Sequence, residues 1–399
     1  MSQLLFHLPP FAADYSGVAS VLHDLGGLVV IHDASGCTGS YTGYDEPRWF
    51  TSRSSVYCSG LREEDAILGN DEKLLDNIKR VVAEREFFFV AVVGSPVPML
   101  VGFDFAGFAN LIEAETGLPA IGFTTSGMPY YHVGMATAFK VLAERFVIDQ
   151  RPPTPEGVNI LGASPLDDFD AATLDAMIEC LASVDIKPVS IWGQRSGLDA
   201  INRAAGASVN WVVSSAALPL ARHMQERWGI PYVVGLPASP AATEQLLAAL
   251  RRSANGIITT GSASARPTTS TNGSNVDICL LGEQLRMNSL RIALRCERPD
   301  AAVNVASFFS WDDGLAESGD SGLDGEEHAA EYLASLSPAV VVGDPLLRSL
   351  LPSHLQSRFI DEPHRAISGR LFRHSLVHRF HAEGARFASE LLEAADAAR

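Results

Sequence analysis

Two cysteines follow short apolar segments in the first part of the chain. Cys37 comes shortly after the β-branched run at residues 28–31, and Cys58 closes a similar segment at residues 55–58. In open α/β sheets the functional crevice lies at the carboxyl ends of the strands, so a thiol there is well placed for chemistry. Cysteine thiolates are the usual ligands of iron–sulfur clusters. The pair therefore predicts an iron–sulfur site with Cys37 and Cys58 as metal ligands.

The surroundings of Cys37 favour ligation over simple burial. A free cysteine is commonly a small core residue, and that interpretation of both thiols stays open. Gly36 and Gly39 flank Cys37, however, and glycines let the backbone approach a bulky inorganic group. A [4Fe–4S] cluster takes four thiolates, so two per chain suffice only if a two-fold or pseudo-two-fold dimer doubles them.

The remaining three cysteines are interpreted as structural. Cys279 lies inside an apolar run, Cys180 lies within a predicted helix, and Cys296 is predicted to follow one. Their spacing matches no zinc-binding pattern. An odd number of irregularly spaced cysteines in a long chain does not indicate a disulfide framework.

Two further segments carry polar side chains for which more than one role stays open. Ser95, in the segment GSPVP at residues 94–98, is predicted to line the same crevice as Cys37, where it either donates to a cluster sulfur or turns the chain. His374, His378 and His381 share one helical face, with His364 and several arginines nearby in the sequence. That face is suited to a metal ion, to an anionic substrate or acidic partner, or simply to solvent.

Composition and missing motifs limit the possible partners. The chain has 399 residues, 47% hydrophobic and 19% charged, enough for two or three domains with their own cores. A net charge of -17 argues against nucleic-acid binding, which needs basic surfaces. The sequence has no GxxxxGK[ST] or GxGxxG motif, so we expect it to bind no nucleotide itself.

No segment of the sequence predicts a membrane span or a secretory signal. The most apolar stretch, residues 87–103, is interrupted by glycines and prolines, which indicates a buried strand entering a loop. The first ten residues lack a basic segment and a small-residue cleavage site. We therefore expect a cytoplasmic protein that does not associate with membranes.

Apolar β-branched runs alternate with amphipathic segments along the whole chain, which predicts parallel sheets flanked by helices. We expect an α/β protein of three Rossmann-like modules, the last ending in a helix at residues 380–398. Their predicted bounds are residues 1–150, 151–262 and 276–399. In detail we predict a loop around Cys37, one helix at residues 63–86, a strand at residues 87–93 and a solvated acidic loop at residues 312–327.

Several motifs resemble component 1 of the nitrogenase superfamily, the cluster-bearing subunits that receive electrons from an ATP-hydrolysing iron protein. The segment VIHDASGC, residues 30–37, is similar to the family pattern VxHGPxGC. LREEDAILG at residues 61–69, followed by Lys73 and Leu74, is similar to xxExDxVFGGxxKL. The resemblance continues through GSPV at 94–97, Gly102, Asp104 and TGLPA at 116–120. A weaker similarity covers residues 209–231.

The resemblance implies roles for four residues. Cys37 matches a family cysteine that ligates the cluster between subunits, and Cys58 lies close to where some members carry another. Two family cysteines are replaced, one near Asp14 and one by Ser95. The resemblance therefore implies Asp14 as an oxygen ligand of the cluster and Ser95 as a cofactor-binding residue. No thiol occurs in residues 213–216, where nitrogenase holds its active-site cofactor, so dinitrogen reduction by this chain alone is not expected.

The resemblance also implies a function. The expected protein is a subunit of an ATP-dependent two-component reductase that relays low-potential electrons to a small molecule, either a tetrapyrrole or a methylthio compound with a carbon–sulfur bond to cleave. Its partners would be a P-loop ATPase iron protein and a second subunit, in a homodimer or heterodimer. The alternatives are a non-catalytic half of a heterodimer, a scaffold for assembling a cluster or tetrapyrrole, and a binding module without metal.

Overall fold

Three parallel sheets, each covered by helices, follow one another along the chain. The structure is a computed structural model and describes residues 6–51, 54–69, 71–148, 154–254, 276–372 and 379–398. The predicted fold class is confirmed. Because residues 149–153 and 255–275 lie outside the described ranges, the predicted boundaries of the three modules stay predictions. Within the described residues, no helix is long and apolar enough to cross a membrane.

The first sheet has the strand order β2-β1-β3-β4, with all neighbours parallel. Its inner strands are runs of Val, Ile, Leu and Ala that are buried on both faces, as expected for a parallel sheet covered by helices. The elements of this module are α1 (Asp14–Leu22), β1 (Leu28–Ile31), α2 (Gly36–Ser40), β2 (Ser55–Cys58), α3 (Glu63–Leu68), α4 (Asp71–Glu84), β3 (Val90–Val93), α5 (Pro96–Leu100), α6 (Phe105–Thr116), β4 (Ala120–Phe123) and α7 (Tyr131–Phe146).

The second sheet repeats this arrangement with the order β6-β5-β7-β8. Its elements are β5 (Gly157–Leu161), α8 (Ala171–Ala182), β6 (Lys187–Trp192), α9 (Leu198–Asn202), β7 (Val209–Val212), α10 (Leu218–Trp228), β8 (Tyr232–Val234) and α11 (Pro240–Ala254). Its core contains two fully buried tryptophans, Trp192 and Trp211, whose indole N–H groups donate to the Ser190 hydroxyl and the Gly235 carbonyl. Both polar groups are thus satisfied inside the core.

The third sheet has five strands in the order β11-β10-β9-β12-β13. Its elements are β9 (Ile278–Leu281), α12 (Gln284–Glu297), β10 (Val303–Ser307), β11 (Ser321–Gly322), α13 (Glu326–Ser335), β12 (Val340–Gly343), α14 (Ser353–Gln356), β13 (Phe359–Asp361), α15 (Arg365–Phe372) and α16 (His381–Ala397). The predicted C-terminal amphipathic helix is α16, whose apolar side packs onto this sheet and α12.

Three local predictions are wrong. Cys37 lies in the first turn of α2 rather than in a loop. The helix predicted at 63–86 is two helices, because Gly69 adopts a left-handed conformation (φ 71°) and ends α3. The strand predicted from residue 87 begins only at Val90.

The acidic segment at 312–327 is not a solvated loop, which corrects a further prediction. It contains β11 and the start of α13, and two of its carboxylates are buried with partners. Asp320 pairs with Arg291 at 2.7 Å. Glu326 accepts the backbone N–H groups of Phe6 and Leu8 at 2.8 and 2.6 Å. Asp320 also accepts the N–H of Val305 in β10 at 2.8 Å, so these carboxylates hold the N-terminal segment and β10 in place instead of facing water.

Helices α1 and α7 cross at close range through two glycines. A Cβ on Gly17 would lie 2.0 Å from the carbonyl oxygen of Tyr131, and one on Gly134 would lie 1.9 Å from that of Asp14. Both atoms are backbone and cannot rotate away. The close crossing fixes the start of α1, and with it Asp14, against the rest of the first module.

We expect Gly134→Ala to destabilise the protein by about 1–3 kcal/mol or more, because the added methyl group forces the two helices apart. The thermal unfolding midpoint measures the effect. Gly43→Ala is the matched control, since no atom lies within 4 Å of its added Cβ. Equal midpoints for the two variants would contradict the close crossing.

Candidate functional site

The four predicted site residues all lie at the carboxyl edge of the first sheet. Cys58 is the last residue of β2 and pairs with Ile31 at the end of β1. Cys37 follows β1 in the first turn of α2, and Ser95 follows β3 directly ahead of α5. Asp14 reaches the same edge by binding the loop after β4. The sequence argument about strand ends thus places Cys37, Cys58 and Ser95 correctly relative to the sheet, whereas Asp14 was named from the family resemblance alone.

Asp33 organises the backbone around both thiols. Its Oδ2 accepts the N–H groups of Ser35 and Thr38, each at 3.0 Å, which shapes the turn into α2. Its carbonyl oxygen accepts the Cys58 thiol at 3.2 Å. Sequence analysis missed Asp33, although its position just after a buried strand is a signal that was available.

Cys37 is half-buried in the first turn of α2. Its thiol contacts the Tyr15 hydroxyl and the Asp33 carboxylate. Burial raises the pKa of the Cys37 thiol, and the nearby negative charge of Asp33 raises it further. A free Cys37 is therefore more fully protonated at neutral pH than an ordinary cysteine, and binding a metal ion there must release that proton.

Asp33→Asn is expected to speed the alkylation of Cys37 by iodoacetamide in the metal-free protein. Removing the carboxylate charge lowers the pKa of the thiol, so more thiolate is present at a given pH, and each unit is worth about tenfold in thiolate fraction. Peptide mass spectrometry after timed quenching measures the rate. Cys296, which is exposed in α12, is the internal control. An unchanged or slower rate at Cys37 would contradict this account.

The polar atoms of Ser95 and Asp14 already bind the protein's own backbone. The Ser95 hydroxyl is fully buried and donates to the His32 carbonyl at 2.7 Å. The Asp14 carboxylate accepts the N–H groups of Tyr15 and Gly127, each at 2.8 Å, and of Ser126 at 3.0 Å. Both side chains therefore anchor loops of this edge, and their predicted role as ligands stays a prediction.

The two thiols of one chain are too few to hold a [4Fe–4S] cluster, so they suit such a cluster only if two chains share it. Among the described residues there is no group of three or more His, Cys, Asp or Glu side chains arranged to hold a metal ion. Cys37 and Cys58 are free thiols of the type that ligates iron–sulfur clusters, and both lie at an accessible edge. Two copies, or two homologous chains, provide the four thiolates that a [4Fe–4S] cluster needs.

Two strongly exposed leucines lie on the helices that follow β2 and β3 at this edge. Leu68, at the end of α3, is 80% exposed, and Leu100, at the end of α5, is 86% exposed. Leu68, together with His32, Ser59 and Phe103, lines a cavity of about 410 Å³ whose lining also includes the charged side chains of Asp65, Asp71 and Lys73. Exposed apolar side chains collected at one edge mark a surface that binds another protein. This surface belongs to the same edge as Cys58.

The predicted cluster of C-terminal histidines lies only partly within the described residues. His374 and His378 lie outside them, so the helical face predicted for these histidines stays a prediction. His381 is exposed at the start of α16. His364 is buried between modules instead of joining a cationic surface.

His364 belongs to a buried polar junction that sequence analysis missed. The Tyr131 hydroxyl donates to Asp167, and the His364 Nε2 lies 3.6 Å from the same carboxylate. Burial lowers the pKa of His364, but the carboxylates of Asp168 and Asp167 outweigh it and raise that pKa above its ordinary value. These residues come from all three modules, so the junction fixes the modules relative to one another.

Residues 213–216, which contain no thiol, contact a buried acid of the third module. Ser215 is buried, and its N–H donates to Glu283 of the third module at 2.9 Å. Burial, followed by the negative charge of Asp167, raises the pKa of the Glu283 carboxyl. A buried acid thus occupies the neighbourhood of this segment.

The three remaining cysteines agree with a structural interpretation. Cys279 is fully buried in β9, and burial raises its pKa to about 12. Cys180 is half-buried near the end of α8. Cys296 lies inside α12 and not after a helix, which corrects its predicted place. None of them lies at the edge that carries Cys37 and Cys58.

Comparison with known proteins identifies the family. The profile of the nitrogenase component 1 type oxidoreductases matches residues 13–269. The chain belongs to this family, and the resemblance noted in its motifs is confirmed. Over its whole length the fold is similar to that of nitrogenase Cp1 at pH 6.5, with a TM-score of 0.69, 12% identity and coverage of 100% of this chain and 94% of that one.

Curated relatives are similar over part of their length. The chain is 26% identical over 234 residues to the nitrogenase iron–molybdenum cofactor biosynthesis protein NifE of Clostridium pasteurianum, covering 56% of this chain and 49% of that protein. It is 29% identical over 222 residues to NifE of Rhodobacter capsulatus, with coverage of 52% and 44%. It is also 25% identical over 134 residues to the nitrogenase molybdenum–iron protein beta chain of Methanothermobacter thermautotrophicus, with coverage of 31% and 29%. The aligned region thus spans about half of the NifE proteins.

Proposed function

We propose that this chain is a subunit of a nitrogenase-like, ATP-dependent reductase that binds an iron–sulfur cluster at a dimer interface through Cys37 and Cys58. The observation that carries the proposal is the placement of both half-buried free thiols around Asp33 at the carboxyl edge of the first sheet. Membership in an oxidoreductase family supports the reaction class.

The residues of the chain prepare this edge for ligation. Asp33 holds the turn into α2, so that Cys37 occupies a fixed position after β1. Asp14 and Ser95 anchor the loops after β4 and β3. When bound, the cluster supplies one-electron transfer at low potential. The second subunit covers the edge, excludes water and supplies the remaining thiolates.

The proposed partners follow from the family. An ATP-hydrolysing P-loop iron protein delivers electrons, because the chain has no phosphate-binding loop of its own. The second subunit is either a copy of this chain or a homologue. The proposed substrate is a small molecule of the tetrapyrrole or methylthio class.

The names of the curated relatives favour a second candidate. The two NifE proteins are named as cofactor biosynthesis proteins, so this chain is alternatively a scaffold on which a cluster or tetrapyrrole is assembled. The chain would then hold its cargo at the same edge and carry out no repeated reduction. As a third possibility, it is the non-catalytic half of a heterodimer.

Steady-state turnover separates these candidates. The anaerobic protein, alone and coexpressed with a homologous subunit, is mixed with a P-loop iron protein, MgATP and dithionite, and a tetrapyrrole or methylthio substrate. The reductase proposal predicts many turnovers per subunit that stop without ATP or the iron protein. Turnover only with the homologous subunit identifies a heterodimer, in which this chain is the non-catalytic half when the homologous subunit carries the active-site cofactor. A single stoichiometric transfer of cluster or tetrapyrrole to an acceptor protein, without turnover, identifies the scaffold.

A further inference from the structure

A cleft opens between the first two modules, and neither Cys37 nor Cys58 lines it. It has a volume of about 470 Å³ and lies outside the carboxyl ends of β5 and β6. Pro47 and Arg48 line it from the first module, Phe169 and Leu174 from the second, and Arg365 from the start of α15. Its size matches sites for small organic ligands, which measure about 300–1,000 Å³. We call it the Arg365 cleft.

Of the three described arginines that line the Arg365 cleft, two form ion pairs with carboxylates of the protein. Arg48 binds Asp24 at 2.9 Å and Glu46 at 2.7 Å. Arg195 binds Asp175 at 2.5 Å. Neither guanidinium is therefore an uncompensated charge.

The acidic side chains that line the Arg365 cleft also have hydrogen-bond or ion-pair partners within the protein. Asp24 accepts from Arg48 and from the N–H of Arg195 at 3.0 Å. Asp168 binds the Arg286 guanidinium at 2.9 Å, and it meets Arg365 only through the backbone N–H at 3.1 Å. Asp170 accepts the N–H of Thr173 at 2.8 Å, where it caps α8. None of these carboxylates pairs with the side chain of Arg365.

Arg365 is the exception among the charges of the Arg365 cleft. Its guanidinium has no hydrogen bond or ion pair with any described residue, and its Nε is buried without a partner. A partly buried guanidinium without an acceptor is costly, whereas a carboxylate matches its planar N–H groups in a two-pronged pair. A ligand carboxylate would neutralise the charge.

The walls of the Arg365 cleft define the rest of the ligand. Pro47, Pro165, Phe169 and Leu174 contribute apolar side chains to the same lining as Arg365. We propose that this cleft binds a small organic acid, with its carboxylate on the Arg365 guanidinium and an apolar body against the proline, phenylalanine and leucine side chains. This site is separate from Cys37 and Cys58, and it binds its ligand whether or not a cluster is present.

Calorimetric titration of the full-length protein with 4-phenylbutyrate tests the proposal. We expect saturable binding of one molecule per chain, weakened about tenfold or more in Arg365→Gln, since a charge-assisted hydrogen bond is worth roughly 1.5–3 kcal/mol. Arg365→Lys keeps the cation and is expected to retain part of the affinity. Arg251→Gln, an exposed arginine of α11, is the matched control and should bind like the wild type.

Two further probes make the outcome decisive. The uncharged analogue 4-phenylbutyramide tests whether binding requires the carboxylate. Inorganic phosphate tests whether binding requires the apolar body. Equal affinity for the amide, equal affinity in Arg365→Gln, or tighter binding of phosphate than of 4-phenylbutyrate would overturn the proposal. Absence of any binding of 4-phenylbutyrate to the wild type would overturn it too.

Discussion

Replacing Cys37 by serine is expected to remove iron and acid-labile sulfide from the anaerobically purified protein, together with its charge-transfer absorption. In a homodimer the substitution takes away two of four thiolates at once, in a heterodimer one of four, and a hydroxyl is a much poorer ligand for this type of cluster. Cys58→Ser is expected to have the same effect. Iron and sulfide analysis with visible and EPR spectra measure both variants.

The chain supplies its own control for this experiment. Cys296→Ser changes an exposed thiol in the third module, far along the chain from the first sheet, and should leave iron and sulfide at the wild-type level. Thermal unfolding midpoints of the serine variants show whether any loss follows from unfolding. Wild-type iron, sulfide and absorption in Cys37→Ser would show that Cys37 is not a ligand.

Replacing Arg286 by leucine is expected to destabilise the protein by about 3–5 kcal/mol, the usual cost of breaking a buried ion pair on one side. Arg286 of α12 binds Asp168 of the second module at 2.9 Å and Glu362 of the third at 2.8 Å, and its side chain is 15% exposed. Glu362 keeps Arg379 as a partner at 3.1 Å, but Asp168 loses its only ion pair among the described residues. Thermal and urea unfolding measure the change.

The matched control is Arg298→Leu at the surface of the same module. Arg298 pairs with Asp396, whose side chain is 54% exposed, and exposed pairs contribute at most about 1 kcal/mol. Its unfolding midpoint should stay close to that of the wild type. If both variants unfold alike, the Asp168–Arg286–Glu362 junction does not hold the second and third modules together.

The sequence was sufficient to predict the edge that carries the thiols. Strands such as VAVV at 90–93 are apolar throughout, which predicts a parallel sheet, and the strand-end rule then brings Cys37, Cys58 and Ser95 to one edge. The break between α3 and α4 was missed because the amphipathic pattern continues across it. Only the left-handed backbone of Gly69 ends the first helix.

Residues that act through distant partners were not predictable in this way. Asp33 matters because its carboxylate meets two backbone N–H groups of a turn, which no periodicity encodes. The junction of Tyr131, Asp167 and His364 joins residues that are up to two modules apart in the sequence. Similarly, the sequence alone places Glu326 in a solvated acidic run, whereas its carboxylate accepts N–H groups of the N-terminal backbone. Long-range pairing decides each of these cases.

Native mass spectrometry under anaerobic conditions tests the central claim most directly. The account predicts a dimer, formed by two copies or with a homologous subunit, that carries iron and sulfide as a shared cluster. The Cys37→Ser and Cys58→Ser proteins are predicted to lack that added mass. A monomer that carries the complete cluster, or a dimer without iron when purified and sprayed without oxygen, would contradict the assignment of Cys37 and Cys58 as ligands at a subunit interface.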